Sequence, residues 1–295
     1  MVRKQDTTVK DYYRYCEEII KKNSKSFYFA FSQLPEDKAN AVFAIYTFCR
    51  RADDSVDENG SKVRQQEELE RLNMELQLVG KGEEIQHPMW LALRDVFKRY
   101  NMSIEPFYEQ LEGQRMDINF TEPMTLKELE KYSYYVAGTV GLMLLPVLAQ
   151  GSSIDLTEQA ISLGIAMQIT NILRDIGEDY QIKNRIYIPQ SLLASELYSA
   201  DHLKNATINS SFIRIWESLA QHAEELYDNF FHSIFYFDED SRFQVLLAAK
   251  VYRGILNAVR KNNYDCFHVK NYVSPIEMQK IHQAARFVVN RKVLS

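Results

Sequence analysis

Ala44-Ile45-Tyr46-Thr47-Phe48-Cys49-Arg50-Arg51-Ala52-Asp53-Asp54-Ser55-Val56-Asp57 reads as the closing turns of a long helix. Phe43, Tyr46, Arg50, Asp53 and Asp57 recur at intervals of three and four. At about 100° per residue they share roughly a quarter of the helix circumference. A second stretch echoes the first: Gly164, Gln168, Asn171, Asp175 and Asp179 form a stripe of the same spacing, closing on Asp175-Ile176-Gly177-Glu178-Asp179. Both stripes run from apolar or small residues through polar ones to carboxylates four apart.

Both acid pairs precede a helix stop, at Glu58-Asn59-Gly60 and at Asn184-Arg185-Ile186-Tyr187-Ile188-Pro189. Carboxylates there face the negative end of the helix dipole and repel one another. A divalent cation removes both costs, and Mg²⁺ takes oxygen ligands, often shared with substrate phosphates. Either pair alone is more readily a solvated helix end; the matched order of the two stripes favours the metal. Asn171 adds a carbonyl one turn below Asp175. Arg50 and Arg174 stand beside the acids and suit a phosphate through bidentate hydrogen bonds. Acids, arginines and an apolar interior together suggest a diphosphate carrying an apolar tail. Ring faces from Phe27, Tyr46 or Tyr134 are then candidates to stabilise a carbocation.

The 295 residues carry a net charge of −5, which argues against a nucleic-acid partner. No Gly-, Pro- or Ser-rich linker divides the chain, so residues 1–295 are expected to form a single domain. Helical periodicity continues to the last twenty residues and no strand alternation is found, giving an all-α class with antiparallel helices around a central cavity. The first helix is expected to follow Thr7 or Thr8 with Tyr12, Tyr15, Cys16 and Ile19 inward. Pro35 is expected in the first turn of the long acid-bearing helix. Thr125 and Glu128 form a capping-box pattern before the helix of Tyr134, Gly138 and Gly141, whose glycines admit a neighbouring backbone or a ligand. Further helices are expected near Ser210–Ile234, Asp238–Lys261 and Ser274–Val293.

Cys16, Cys49 and Cys266 are widely spaced in apolar contexts and read as buried thiols of a cytoplasmic protein. The polar N-terminus carries no secretory signal, and the run from Val136 to Ala149 is too short to span a bilayer. A peripheral membrane contact stays open, as does oligomeric state. No Gly-rich phosphate loop, CxxC or nucleophile elbow is present.

The motifs, taken in order, resemble the squalene/phytoene synthase family of head-to-head prenyl transferases over nearly the whole chain. They are Ser24-Lys25-Ser26-Phe27, the stretch from Ala44 to Asp57, Tyr134-Tyr135-Val136-Ala137-Gly138-Thr139-Val140-Gly141, and Gln168-Ile169-Thr170-Asn171-Ile172-Leu173-Arg174-Asp175 continuing to Asp179. The resemblance implies an isoprenoid synthase fold. It also implies joining of two identical prenyl diphosphates through a cyclopropylcarbinyl diphosphate, with a group of two or three Mg²⁺ ions. Carried over by position, Asp53, Asp57, Asn171, Asp175 and Asp179 would bind metal. Tyr46, Arg50, Tyr134 and the four aspartates would be catalytic. Asn23, Ser24, Lys25, Ser26, Phe27, Tyr46, Arg50, Gln168, Arg174 and Tyr252 would contact substrate. Lys270 stands where relatives often have Arg, which puts a diphosphate contact there in doubt.

Within the family the expected branch is the non-reductive one, without NADPH, making dehydrosqualene from farnesyl diphosphate for C30 carotenoids. Phytoene formation from geranylgeranyl diphosphate and NADPH-dependent squalene formation are the alternatives. Phe43, ten residues before Asp53, and Phe31 are the expected floor of the tunnel and favour the shorter substrate. A non-catalytic helical scaffold would have shed the acids, and a cyclase acting on one prenyl diphosphate would share them.

Overall fold

Apolar residues recurring at helical spacing become helices in the computed structural model, which describes residues 8–57 and 60–291. They run α1 (Val9–Asn23), α2 (Lys25–Phe31), α3 (Glu36–Asp57), α4 (Lys62–Gly80), α5 (Pro88–Arg99), α6 (Glu105–Ile118), α7 (Leu126–Ser133), α8 (Thr139–Leu148) and α9 (Thr157–Lys183). Then come α10 (Gln190–Ser195), α11 (Ala200–Lys204), α12 (Ser210–Phe231), α13 (Glu239–Lys261) and α14 (Pro275–Arg291). A π turn, Tyr134–Gly138, joins α7 to α8, and a 3₁₀ turn, Ile234–Tyr236, follows α12. No strand occurs among the described residues, and the architecture is the all-α isoprenoid synthase fold. Thr7, Glu58, Asn59 and the expected last turn at Val293 lie outside the described residues.

Local chemistry sets most boundaries. Thr8 caps α1, and Asp11 accepts the Thr8 N–H at 2.8 Å. Cys16 of α1 is buried as expected, but its inward neighbours are Tyr13 and Ile20, whereas Tyr12, Tyr15 and Ile19 are half-buried. Helix α1 packs on both α3 and α5, and the Tyr13 hydroxyl donates to Asp95 of α5 at 2.7 Å, which turns Tyr13 inward in place of Tyr12. Pro35 sits just before α3 rather than in its first turn, its carbonyl accepting the Ala39 N–H. At α7 the Thr125 hydroxyl accepts the Glu128 N–H, while the Glu128 carboxylate accepts from Met124 instead of Thr125. The short helices α10 and α11 have no counterpart in the expected periodicity, being too brief to show one.

Two helices carry the framework. α3 is enclosed by α1, α4, α5, α6 and α8, and α9 by α7, the π turn, α8, α12 and α13. The apolar core falls into two clusters accordingly, bridged by Leu163, Met167, Phe231 and Tyr252. Two glycines admit a neighbouring backbone, Gly141 of the third motif and Gly164 of α9, and both also line an apolar cavity. A Cβ on Gly141 would lie 2.3 Å from the Ala160 carbonyl oxygen, and one on Gly164 2.3 Å from that of Ala137. Among the described residues no helix is long and apolar enough to cross a membrane.

Candidate active site

The stripes of α3 and α9 face one another across two connected spaces. One is an apolar cavity of about 220 Å³, walled by residues of α2, α3, α8, α9 and α13. The other is a polar vestibule of about 210 Å³ onto which Asp53, Asp57, Asp117, Asp175 and Asp179 all open. Asp53, Val136, Gln168 and Asn171 line both, so the apolar space leads directly into the acidic one.

The acid-bearing end of α9 is pinned from two sides. The buried Trp216 indole of α12 donates to the Leu173 carbonyl at 3.1 Å, and the Gly177 N–H donates to the Cys266 carbonyl at 3.0 Å. A Cβ at Gly177 would meet the Phe267 backbone at 2.4 Å. Gly177→Ala is therefore expected to cost about 1–3 kcal/mol of stability by overpacking. Thermal unfolding checks this, and an unchanged midpoint would show that the Cys266–Phe267 segment can yield.

Burial dominates the electrostatics. It pushes the Asp53 carboxyl up to about 7; Arg50 opposes this, and Asp57, Asp117 and Asp54 add to it. Asp179 is likewise pushed up to about 7 by burial, against Lys183 and with help from Asp175 and Glu178. Burial also raises Asp117, although Arg185 and the hydroxyls of Tyr132 and Tyr187 favour its ionised form.

Asp53, Asp57 and Asp175 each accept a hydrogen bond from a neighbouring side chain. Gln114 Nε2 donates to Asp53 Oδ1 at 2.7 Å, and Lys183 Nζ donates to Asp57 Oδ2 at 3.1 Å, tying the end of α9 to that of α3. Arg174 grips Asp175 through Nε and Nη2 at 2.8 and 2.6 Å. Lys270 Nζ lies 3.6 Å from Asp175 and donates to Glu178 at 2.6 Å, so this lysine stands at the vestibule despite lacking the guanidinium fork.

The donor set fits hard divalent cations. Asp53, Asp57, Asn171, Asp175 and Asp179 offer only oxygen or amide ligands, and Asn171 Oδ1 is buried with no hydrogen-bond partner. Among the described residues no three acidic, His or Cys side chains close around a single metal position. That openness suits Mg²⁺, which keeps waters and shares phosphate oxygens instead of filling an all-protein cage.

The expected substrate residues divide. Phe27, Tyr46 and Tyr252 form one aromatic wall of the cavity, with Phe27 6.3 Å from Tyr46 and edge-on to Tyr252 at 5.3 Å. Gln168 and Arg174 line the vestibule. Asn23, Ser24, Lys25 and Ser26 line neither space: Asn23 donates to the Ile19 carbonyl, Ser24 caps α2, and Lys25 is exposed. Arg50 also lies off both linings, paired with Asp54 at 2.5 Å. Tyr134 is turned away, its hydroxyl donating to Glu109 at 2.7 Å, because the widened π turn presents Val136 and Ala137 inward in its place. Phe43 is not the floor: it stacks on Tyr28 at 6.0 Å, and the neighbouring Val42 and Ile45 face the cavity. Phe31 does line it, together with Leu148, Phe230, Phe237 and Val245.

Helix α6 supplies a third polar stripe that sequence reasoning missed. Gln110 lines the cavity, and Gln114 and Asp117 line the vestibule. Their spacing of four and three on an otherwise apolar face was the available signal.

An all-α bundle whose apolar cavity opens between two facing carboxylate stripes suits an enzyme acting on a diphosphate with an apolar tail, and its relatives place it among the prenyl transferases. The sequence pattern of the squalene/phytoene synthase family matches residues 20–277, and the chain belongs to that family. It is 36% identical to the 4,4'-diapophytoene synthase of Staphylococcus haemolyticus over 94% of this chain and 97% of that one. It is also 36% identical to the 15-cis-phytoene synthase of Synechococcus elongatus, over 88% of each. A crystal structure of a dehydrosqualene synthase in complex with ligand superposes with a TM-score of 0.91 at 43% identity, covering 96% of this chain and 98% of that one.

Proposed function

We propose that the chain acts as one domain that condenses two farnesyl diphosphates head to head, through presqualene diphosphate, to dehydrosqualene. Each product would release two diphosphates and two protons, without reduction by NADPH. The observation that carries the choice of substrate is the apolar wall along which the cavity runs down α3 from Asp53. Val42, on that wall, stands eleven residues before Asp53, about 16 Å down α3 at 1.5 Å per residue. This is comparable to the reach of a farnesyl chain, and Phe31 and the Phe230–Phe237 pair, rings 5.6 Å apart, add bulk to the same cavity.

Asp53, Asp57, Asn171, Asp175 and Asp179 would hold Mg²⁺, which when bound supplies Lewis-acid stabilisation to the departing diphosphate. Arg174, Lys183 and Lys270 would bind diphosphate oxygens, and Gln168 would orient the reacting end where cavity meets vestibule. The faces of Phe27, Tyr46 and Tyr252 would attract the allylic cation while the apolar walls exclude water. Asn23 to Ser26 and Tyr134, which line neither space, are given no step, and Arg50 acts on the acids from behind Asp54.

Purified protein given Mg²⁺ and farnesyl diphosphate is expected to release two diphosphates per C30 hydrocarbon, the hydrocarbon being identified by mass spectrometry. A ratio of one, with a C15 product, would indicate a cyclase instead. The 36% identity to a 15-cis-phytoene synthase favours a second reading, use of geranylgeranyl diphosphate. Shortening the floor separates the two. Phe31→Ala is expected to raise the C40 share of product by about tenfold or more, the scale on which apolar pockets discriminate chain length. Phe43→Ala is expected to lower stability without lengthening the product; C40 from Phe43→Ala but not Phe31→Ala would reverse the floor assignment.

A further inference from the structure

Gln114 stands out among the partners of the vestibule acids. Lys183, Arg174 and Lys270, which meet Asp57 and Asp175, are cations that a diphosphate can draw away. Gln114 is neutral and only 3% exposed, and it is the donor the structure gives Asp53, at 2.7 Å across 61 residues of chain. Its helix has no room to retreat. A Cβ on the adjacent Gly113 would lie 2.9 Å from the Tyr135 carbonyl carbon, so α6 is pressed against the π turn and the Gln114 amide is aimed from a fixed base. A neutral amide cannot compete with a metal as a lysine does, nor follow a departing diphosphate. What it can do is hold one carboxylate oxygen, Oδ1, and thereby set the rotation of the Asp53 carboxylate.

We propose that Gln114 is a positioning residue that fixes the Asp53 carboxylate for a divalent cation bound in the vestibule. The inference rests on the metal-dependent reading given above. It makes a prediction that a merely structural role does not, because the defect must lie in the metal requirement. Removing a group that orients a metal ligand typically weakens metal affinity by 10- to 100-fold.

The test uses Gln114→Met, which keeps volume but not the donor, and Gln114→Asn, whose amide is one carbon too short to reach. Mg²⁺ is titrated against each full-length protein in the presence of inorganic pyrophosphate, with the midpoint read from thermal unfolding. kcat and KM for farnesyl diphosphate are measured at low and saturating Mg²⁺. Both variants are expected to need roughly tenfold more Mg²⁺ to reach half the thermal shift. The metal-free unfolding temperature should stay near that of the unaltered protein, and kcat should recover as Mg²⁺ is raised. A Mg²⁺ midpoint unchanged in both variants, with the unaltered protein responding normally, would overturn the proposal. So would a loss of kcat that Mg²⁺ does not restore. If the unaltered protein itself shows no Mg²⁺-dependent shift, the metal reading fails first and takes this inference with it.

Discussion

Asp175→Asn is expected to lower kcat by about a thousandfold, or ~4 kcal/mol of transition-state stabilisation, the order supplied by a metal at a departing oxyanion. Asp175 is the stripe acid held by both a guanidinium and a lysine. Its side chain is 15% exposed, both its oxygens accept from Arg174, and Lys270 approaches it from the segment after α13. Asparagine keeps the shape and one acceptor for Arg174 but removes the charge that a cation requires. The same change leaves Arg174, 14% exposed, without its counter-charge, so thermal unfolding must be followed alongside. A fold that survives with turnover within a few-fold of the original would remove Asp175 from the metal set. KM for farnesyl diphosphate is expected to change much less than kcat, because the interaction lost is made chiefly as the C–O bond breaks.

Lowering the pH is expected to weaken Mg²⁺ binding by about a hundredfold between pH 8 and pH 6. Asp53 and Asp179 are each pushed up to about 7 by burial, and each must lose its proton to accept a cation. One pH unit below such a value costs each site about tenfold, and the two together about a hundredfold. Metal-free stability has the opposite dependence. Both folded-state values lie above the ordinary 3.8, so the folded chain holds protons that the unfolded chain releases. The stabilisation they contribute is complete below pH about 4 and is lost as pH rises through about 7. Titration of Mg²⁺ with pyrophosphate at pH 6, 7 and 8, in buffers of different ionisation enthalpy, checks both the affinity and the proton release. An affinity flat across that range, with no protons released, would mean these two carboxylates do not receive the ion.

The residues that carried most of the sequence reading are those whose partners lie along their own helix. The stripes of α3 and α9 were legible because i, i+3 and i, i+4 spacing places side chains together whatever the tertiary arrangement. That the stripes confront each other across one vestibule followed only from their matched polarity, and the structure places them so. What periodicity could not reach was the identity of partners from elsewhere. Tyr134 sits in an aromatic run suited to a cavity wall, but the π turn gives that wall to Val136 and Ala137 and sends the phenol to Glu109. Phe43 shares the helix face of Tyr46 and Asp53, yet the earlier turn of α3 meets α2, where Tyr28 covers it. On α1, Tyr13 and Ile20 face inward in place of Tyr12 and Ile19 because more than one neighbouring helix presses on it. Gln114 and Asp117 escaped notice for a related reason. An amide or a lone carboxylate on a short helix looks like any solvent-facing side chain until the neighbour it serves is known.

The central claim, that the cavity selects two fifteen-carbon chains and joins them without reduction, is tested most directly by competition. The purified protein is given equal concentrations of farnesyl and geranylgeranyl diphosphate with Mg²⁺, with and without NADPH, and the hydrocarbons are separated by mass. The expected result is dehydrosqualene as the main product, in the same amount whether or not NADPH is present. Phytoene as the main product, or squalene appearing only with NADPH, would contradict it.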